Sequence, residues 1–234
     1  MAGNDWRSVP WAQAVGYAEN SVGIRVGEGI WAAVDKVDPA PLLVADPSTG
    51  KAIWIGHIEE HGQPAWGAFT VSSAGDKVTG IDALIRRKEY SPPYAEPGQA
   101  PQFPELPAAS RTSRAAMIEG AKAWYSAINE RTGAPTVFAP ECKLVLNGMT
   151  LAGCTDAFAN LPPIERIRDR EVLAVDEGRG LIVYRTFEDY PSVGSGYPRT
   201  DQVVEVFSFA GGRMTGVYAW LAELPYGMKA HGQN

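Results

Sequence analysis

Three side chains in the first part of the chain have types and spacings suited to proton transfer. Tyr17 and Glu19 are two residues apart in an alternating stretch, so both lie on one face of a predicted strand. A carboxylate beside a phenol can donate and accept protons. His57 interrupts the apolar run of residues 52–58, and its imidazole titrates near neutral pH. The alternatives are a solvated edge-strand glutamate beside a packed tyrosine, and a core histidine bonded to a backbone carbonyl.

Basic side chains in the second part could bind a phenolate or stabilise an alkoxide, because oriented donors favour developing negative charge. They are Arg166, Arg168 and Arg170 on one predicted strand, Arg185 on the next strand and Lys143 on an earlier one. The two-residue period places the three arginines on one side of their strand and Ile167, Leu173 and Val175 on the other. The alternative for this arginine stripe is a solvated ladder of ion pairs with Asp169.

Aromatic residues at strand spacing predict a slot for planar rings. They are Trp31, Trp54, Tyr184, Tyr218 and Trp220. Such a slot would bury most of the surface of an aromatic ligand. The alternative is that these rings are ordinary core residues.

The two cysteines, Cys142 and Cys154, have neither CxxC nor histidine spacing, so we predict two reduced, partly buried thiols and no metal site. The sequence contains no P-loop, no GxGxxG, no HExxH and no Ser-His-Asp order. The enzyme classes that depend on those motifs are therefore not expected.

The 234 residues carry a formal net charge of −6, with 45% hydrophobic and 21% charged residues. This is the composition of a globular protein, and scattered basic residues on an acidic chain argue against a nucleic-acid or anionic-membrane surface. The start of the chain lacks a charged segment followed by an apolar run, and no stretch approaches the ~20 apolar residues of a membrane span. We therefore predict a cytoplasmic protein without nucleic-acid or membrane partners.

The elements that must position these side chains occur twice. Residues 206–221 read as two long antiparallel strands around Gly211 and Gly212, whose positive φ suits a tight turn. An earlier copy spans residues 69–85, with Gly75 in its turn. Two further pairs precede the hairpins in the same order: residues 46–50 with 176–180, and residues 10–20 with 137–147. Three blocks in one order predict two copies of one fold.

Proline-rich residues 91–109 predict an extended linker between the copies. The predicted organisation is a helix-poor unit at 1–90, a linker at 91–110 and a second unit at 111–234. Apolar residues at spacings near three and four predict an amphipathic helix over residues 114–129, capped by Ser110 or Thr112. Residues 154–163 are predicted to form an irregular, lid-like segment.

The order of helix, strand pair and three or four long antiparallel strands resembles the nuclear transport factor 2-like fold, also called the polyketide cyclase-like or ketosteroid isomerase-like cone. Two such units with the phrases Val26-Gly-Glu-Gly-Ile-Trp31, Ile167-Arg-Asp-Arg170 and Pro225-Tyr-Gly-Met228 resemble a bacterial and fungal family of tandem cone proteins. The resemblance implies an α+β fold of two tandem cone-shaped units, each with a strongly bent antiparallel sheet. It also implies that the first unit lacks the opening helices and that a helix covers the second.

Within that family the chain is similar to the diarylpropane lyases of bacterial lignin catabolism. This similarity implies an enzyme without metal or organic cofactor that converts a 1,2-diarylpropane-1,3-diol to a stilbene and releases formaldehyde. Ketosteroid isomerases place a general base on the strand that corresponds to Glu19 in the first unit and Leu146 in the second. They hold a second, protonated acid at the position of Glu205. Cone proteins usually pair sheet to sheet, so the two halves could pair with each other or with another chain. We expect a homodimer.

These features combine into one hypothesis for the site. Tyr17 and Glu19 or His57 form the acid–base set, while cations hold the oxygens of a phenol or hydroxyl group. The predicted cations are Arg168, Arg185 and Lys143, and the residues predicted to bind a small aromatic substrate are Trp31, Tyr184, Arg185, Glu205 and Trp220. The alternatives are a polyketide or terpenoid cyclase or isomerase, and a non-catalytic binding or dimerisation module. An ordered polar group in a closed cavity would favour an enzyme, whereas a cavity filled by side chains would favour the module.

Overall fold

The computed structural model describes residues 5–88, 99–192 and 196–232. It is an α+β fold, dominated by strands, with two sheets. Of the predicted linker, residues 91–98 lie outside the described residues, and residues 99–107 run without helix or strand to a short 3-10 helix at Ala108–Ser110. No helix in the described ranges is long and apolar enough to cross a membrane.

The first unit begins with a 3-10 helix at Trp6–Ser8 and forms a seven-stranded sheet. Its strands are β1 Trp11–Glu19, β2 Val22–Gly23, β3 Val34–Val37, β4 Leu42–Asp46, β5 Lys51–Glu60, β6 Gln63–Ala74 and β7 Lys77–Arg87. The order across the sheet is β2-β1-β7-β6-β5-β3, and β4 also pairs with β5. The four-residue helix α1 (Ile30–Ala33) lies immediately before β3.

The second unit forms a six-stranded sheet covered by helices. Its elements are α2 Arg114–Glu130, β8 Phe138–Leu146, β9 Met149–Gly153, α3 Cys154–Ala159, β10 Arg166–Asp176, β11 Leu181–Tyr190, β12 Arg199–Ala210 and β13 Arg213–Pro225. The order across the sheet is β10-β11-β12-β13-β8-β9. The helix predicted at 114–129 is confirmed, but its cap is Ser113, whose Oγ accepts a hydrogen bond from the amide of Ala116.

The internal repeat is confirmed by equivalent strand pairing. The last strand of each hairpin pairs in parallel with the first strand of its unit, β7 with β1 and β13 with β8. Asn20 and Asn147 end these first strands with φ of +44° and +47°, a conformation that asparagine tolerates better than most residues. The Oδ1 atom of each accepts a backbone amide, from Ile85 at 2.8 Å and from Leu221 at 3.0 Å.

The two sheets pack face to face around a shared apolar core. Trp66 of β6 and Trp220 of β13 meet at its centre with ring centroids 6.0 Å apart, and both are almost fully buried. Ion pairs extend the contact, because Arg185 of β11 pairs with Asp82 of β7 and with Glu171 of β10. Of the two alternatives for sheet-to-sheet pairing, the two halves therefore pair with each other. Whether two chains also associate stays a prediction.

The other face of each sheet is covered by different elements. In the first unit, α1 and the segment before β1 cover it, and their aromatic rings pack tightly: Trp11 lies 5.7 Å from Trp31, and Tyr17 lies 6.2 Å from Trp31. In the second unit, α2 and α3 cover it. The segment predicted to be irregular at 154–163 thus begins with a helix, α3.

The predicted arginine stripe is wrong, because a bulge interrupts β10. The register shifts between Arg168 and Glu171, and Asp169 has a φ of +52°. An extra residue in one strand moves the following side chains to the opposite face. Leu173 therefore joins the core between the sheets, unlike Ile167, and a second register shift, between Val172 and Ala174, returns Val175 to the face under the helices.

Candidate functional site

A cavity of about 530 Å³ lies in the second unit, between the sheet and the helices α2 and α3. This volume is within the roughly 300–1,000 Å³ of small-molecule sites. Its apolar wall comes from both sheet and helices. Among these lining residues are Trp124, Ile128, Leu144, Leu146, Ala157, Leu161, Ile164, Val203 and Ala219. The cavity therefore has the shape and lining of a site for a mostly apolar ligand.

Three carboxylic acids, here called the acid set, reach this cavity from adjacent strands. They are Glu188 on β11 and Asp201 and Glu205 on β12, which are 7%, 1% and 3% exposed. Glu188 and Asp201 are directly paired across the two strands. Glu205 lies four residues after Asp201, and the two-residue period of a strand puts both on the same face.

Burial is the main cause of raised pKa values in the acid set. It raises the pKa of Glu188 from 4.5 to about 8, with a further contribution from the negative charge of Glu205. It raises the pKa of Glu205 to about 7 and that of Asp201 to about 6. Because Glu188 and Glu205 repel each other when both are charged, they titrate as a pair. At neutral pH the set therefore holds both a protonated acid and a carboxylate.

Each member of the acid set has a hydrogen-bond partner that defines its position. The Tyr190 hydroxyl donates to Glu188 at 2.7 Å, and the Tyr125 hydroxyl of α2 donates to Glu205 at 2.5 Å. The Arg199 guanidinium donates to Asp201 at 3.1 Å. Raised pKa values and fixed geometry in one cavity are typical of a site for acid–base chemistry.

We expect replacement of Tyr125 by phenylalanine to raise the pKa of Glu205 further. The hydroxyl donates to Glu205 and lowers its pKa against the effect of burial, because such a bond favours the charged form. The corresponding limb of a pH–rate or pH–binding profile should move to higher pH by up to about 1 unit. A profile of Tyr125→Phe that overlays the wild type would contradict this role, and Tyr226→Phe, at an exposed tyrosine, is the matched control.

Of the residues predicted from the sequence, Glu205 lines the cavity, and its role as a protonated acid stays a prediction. The pair Tyr17 and Glu19 also comes together, since the Tyr17 hydroxyl donates to Glu19. The same carboxylate accepts the amide of Ile30 at 2.5 Å, so it fixes the start of α1. Trp31 packs edge-on against Tyr17. Tyr17 and Trp31 belong to the apolar core of the first unit, and none of these three residues lines the cavity that contains the acid set.

His57 is not brought to Tyr17 and Glu19. Strands β6 and β7 separate β5 from β1, and His57 lies on the same face of β5 as Ile53 and Ile55 of the core between the sheets. Its Nδ1 lies 3.2 Å from Oδ2 of the buried Asp38, and its side chain is partly exposed. The fold therefore does not bring together the three residues that the sequence analysis grouped as one acid–base set.

The predicted cations are engaged elsewhere. Arg168 bonds the buried Asp189 at 2.9 Å and the carbonyl oxygen of Met228 at 2.6 Å, so it anchors the tail of the chain. Arg185 joins the two sheets, as described above. Lys143 is exposed on β8. The alternative interpretation, that these cations form structural ion pairs, fits Arg168 and Arg185. None of the three predicted cations lines the cavity.

The predicted aromatic slot is divided among three places. Trp31 and Trp54 belong to the core of the first unit, and Trp220 and Tyr218 to the core between the sheets. Tyr184 packs under α2, 5.4 Å from the ring of Tyr125. Alternation along strands assigns a face, but it does not say which rings converge from different strands.

The sequence reasoning missed most of the polar residues of the cavity. They are Trp124, Asp156, Asn160, Glu188, Tyr190, Arg199, Asp201 and Glu223, and Tyr125 was also missed as the donor to Glu205. The internal repeat contained a signal for the acids. In the first copy, the positions equivalent to Glu188, Asp201 and Glu205 are the apolar residues 58, 65 and 69. Acids at core positions of only one copy mark that copy as the functional one.

The prediction of two free thiols is wrong, because Cys142 and Cys154 form a disulfide. The bond connects β8 to the first residue of α3, and both elements line the cavity. Sequence spacing could not reveal it, since the Cα–Cα distance of 5.3 Å arises only when β8 and β9 pair. Disulfides persist mainly in oxidising compartments, so this one weighs against the predicted cytoplasmic location.

Removing the disulfide should destabilise the second unit. For the double variant Cys142→Ser/Cys154→Ser we expect a loss of about 3 kcal/mol in the free energy of unfolding, the chain-entropy value for a loop of this size. Urea titrations with and without a reductant measure it. Reductant should move the wild type to the midpoint of the double variant and leave the variant unchanged. A wild type that does not respond, with two titratable thiols, would contradict the disulfide.

A comparison with family models finds one described as Domain of unknown function (DUF8021), which matches residues 110–221. The matched segment contains α2, the whole acid set and most of the cavity wall. No curated protein matches the chain. Among the described residues, no group of three or more His, Cys, Asp or Glu side chains is placed to hold a metal ion.

Proposed function

We propose that the protein is an acid–base enzyme acting on a small aromatic alcohol in the cavity of the second unit. The observation that carries the proposal is the acid set, in which buried carboxyl groups with raised pKa values face a mostly apolar cavity. Burying three carboxyl groups costs stability, so their retention at one apolar cavity favours a chemical role. The packed core of the first unit supports a scaffolding role for that unit.

The specific reaction we propose is the cleavage of a 1,2-diarylpropane-1,3-diol to a stilbene, formaldehyde and water. In the first step a protonated acid donates to the benzylic hydroxyl group, which leaves as water, while a carboxylate takes the proton of the para-phenol. The product of this step is a quinone methide. A carboxylate then removes the proton of the terminal hydroxyl group, and the carbon–carbon bond breaks to release formaldehyde. Its electrons restore the aromatic ring, and the resulting phenolate takes up a proton.

The acid set can supply these proton transfers. Glu188, with the highest pKa of the three, is the proposed acid for the benzylic hydroxyl group. Asp201, with a pKa of about 6, is ionised at neutral pH and is the proposed base. Glu205 exchanges protons between them as its charge changes with that of Glu188. These roles replace those predicted for Tyr17, Glu19 and His57.

We further propose that both units are cones of the nuclear transport factor 2-like type. The parallel pairing of the first and last strands in each unit supports this, as does the helical cover of the second unit. In the first unit, aromatic side chains fill the interior of the proposed cone. We also propose a homodimer that forms through surfaces other than the paired sheets, and the mass of the protein in solution tests it.

The first experiment is incubation of the purified protein with a diarylpropane diol, measuring stilbene absorbance and trapped formaldehyde together. Both products should appear in equal amounts and should be lost in Asp201→Asn, while the surface variant Asp76→Asn, at an exposed turn residue, keeps the activity. Stilbene without formaldehyde, or no product, would contradict the lyase. In the latter case the cyclase, isomerase and binding-module alternatives return, and a ligand screen on the cavity would separate them.

A further inference from the structure

Acidic side chains far outnumber basic ones among the residues that line the cavity. The acidic residues that line it are Asp156, Glu188, Asp201, Glu205 and Glu223. Among the described lining residues, Arg199 is the one basic side chain. Its guanidinium bonds Asp201 at 3.1 Å, lies 3.4 Å from Glu223 and stacks 4.3 Å over the Tyr190 ring. The described lining of the cavity therefore has no unpaired basic side chain that could bind an anionic ligand.

A second feature of the same wall points to a ligand. Trp124 is 3% exposed, and its indole Nε1 is buried without a hydrogen-bond partner. The indole is close enough to Glu205 to lower the pKa of that carboxyl group, but the contact does not have the geometry of a hydrogen bond. A buried N–H group that lacks a partner is costly, and a ligand oxygen that accepts from it removes the cost.

From these two observations we propose that the cavity selects ligands by charge: it binds hydroxyl or ammonium groups against the acid set and rejects carboxylates. A hydroxyl group can donate to a carboxylate and accept from Trp124 at the same time, whereas an ammonium group can only donate. A carboxylate would face several acids at short range in a site of low dielectric. This inference rests on the proposed function for its choice of an aromatic alcohol, and it can be tested without turnover.

Three matched ligands distinguish the charge classes. They are 2,3-diphenylpropan-1-ol, 2,3-diphenylpropan-1-amine and 2,3-diphenylpropanoic acid, which share the two-ring skeleton of the proposed substrate but lack its benzylic hydroxyl group. Isothermal titration calorimetry at neutral pH should rank the amine above the alcohol by about tenfold, and the alcohol above the acid by at least about tenfold. Because none of the three can be cleaved, their binding does not depend on the lyase activity.

Two variants test which side chains cause the ranking of ligand affinities. Asp201→Asn, which removes the carboxylate that is ionised at neutral pH, should narrow the difference in affinity between amine and alcohol, while Glu119→Gln, at an exposed residue of α2, should leave it unchanged. Trp124→Phe should weaken the alcohol a few-fold and leave the amine unchanged, since only the alcohol can accept from the indole N–H. If Asp201→Asn does not fold, Glu205→Gln makes the same test, since the pKa of Glu205 is about 7.

The outcomes separate this inference from the proposed reaction. If the affinities follow the charge of the ligand but no stilbene forms, the proposed charge selection is supported and the proposed lyase reaction is contradicted. Lyase activity with equal affinity for acid and amine would overturn the selection and leave the lyase intact. No binding of any of the three ligands would overturn the selection.

Discussion

Replacement of Glu188 by glutamine is expected to abolish most of the activity and, at the same time, to stabilise the protein at alkaline pH. Glutamine has the shape of the acid and can accept the Tyr190 hydroxyl that now bonds Glu188, but it cannot donate a proton as an acid does. The loss of a general acid reduces the turnover rate by about 100-fold or more. The gain in stability follows from the raised pKa of the buried group.

The sign of the stability change can be derived from the two states of the chain. The pKa of Glu188 is about 8 in the folded protein and 4.5 in its ordinary state, so the unfolded chain releases the proton at lower pH. Below pH 4.5 both states are protonated and the group has no effect. As the pH rises towards 8, ionisation stabilises the unfolded chain alone, and the folded state loses on the order of 3–5 kcal/mol. Glutamine removes this loss.

Chemical denaturation of wild type and Glu188→Gln at several pH values measures this effect. The two free energies of unfolding should be similar near pH 4 and differ by roughly 2–4 kcal/mol near pH 9, with the variant more stable. The exposed variant Glu119→Gln should follow the wild type throughout. Parallel curves for wild type and Glu188→Gln would show that Glu188 is ionised normally and would remove it as the proposed acid.

Replacement of Trp220 by alanine is expected to cost about 3–5 kcal/mol in the free energy of unfolding. Trp220 is 1% exposed in the core between the sheets and packs against Trp66 of the other unit. Its removal leaves a cavity that two rigid sheets cannot close. Because the two sheets share this core, the units should still unfold in one transition.

Urea denaturation monitored by circular dichroism tests this prediction. Trp54→Ala is the matched control, since it removes the same atoms from a partly buried site on the opposite face of the first sheet. We expect a clearly smaller loss for the control. A loss below about 1 kcal/mol for Trp220→Ala, or two separate transitions in the wild type, would mean that the units are stabilised independently.

The internal repeat allowed much of the architecture to be predicted from sequence. Hairpins with glycine turns, paired in the same order with matching upstream blocks, predict two units, and both have equivalent strand pairing. The helix predicted at 114–129 formed because its apolar residues recur at helical spacing and Ser113 caps it. The bulge in β10 could not be predicted, since it depends on how β10 pairs with β11.

The candidate site was only partly predictable. Glu205 was identified through the resemblance, and its place in the cavity agrees with that prediction. Tyr17 and Glu19 were paired by the two-residue period, and they do bond, but in a packed core. Glu188 and Asp201 were missed because their proximity arises from the register of β11 and β12. Their pKa values depend on burial, which no local pattern encodes.

The amino-acid sequence by itself determined the strands, the helix α2 and the twofold repeat, because turn residues and apolar periodicity act over a few neighbouring positions. The tertiary structure alone decided which unit keeps a cavity. Aromatic side chains from distant parts of the first unit converge and fill its core, whereas α2 and α3 leave open space above the acid set. It also brought Cys142 to Cys154 and Trp66 to Trp220. Such contacts result from the register and packing of elements far apart in the chain.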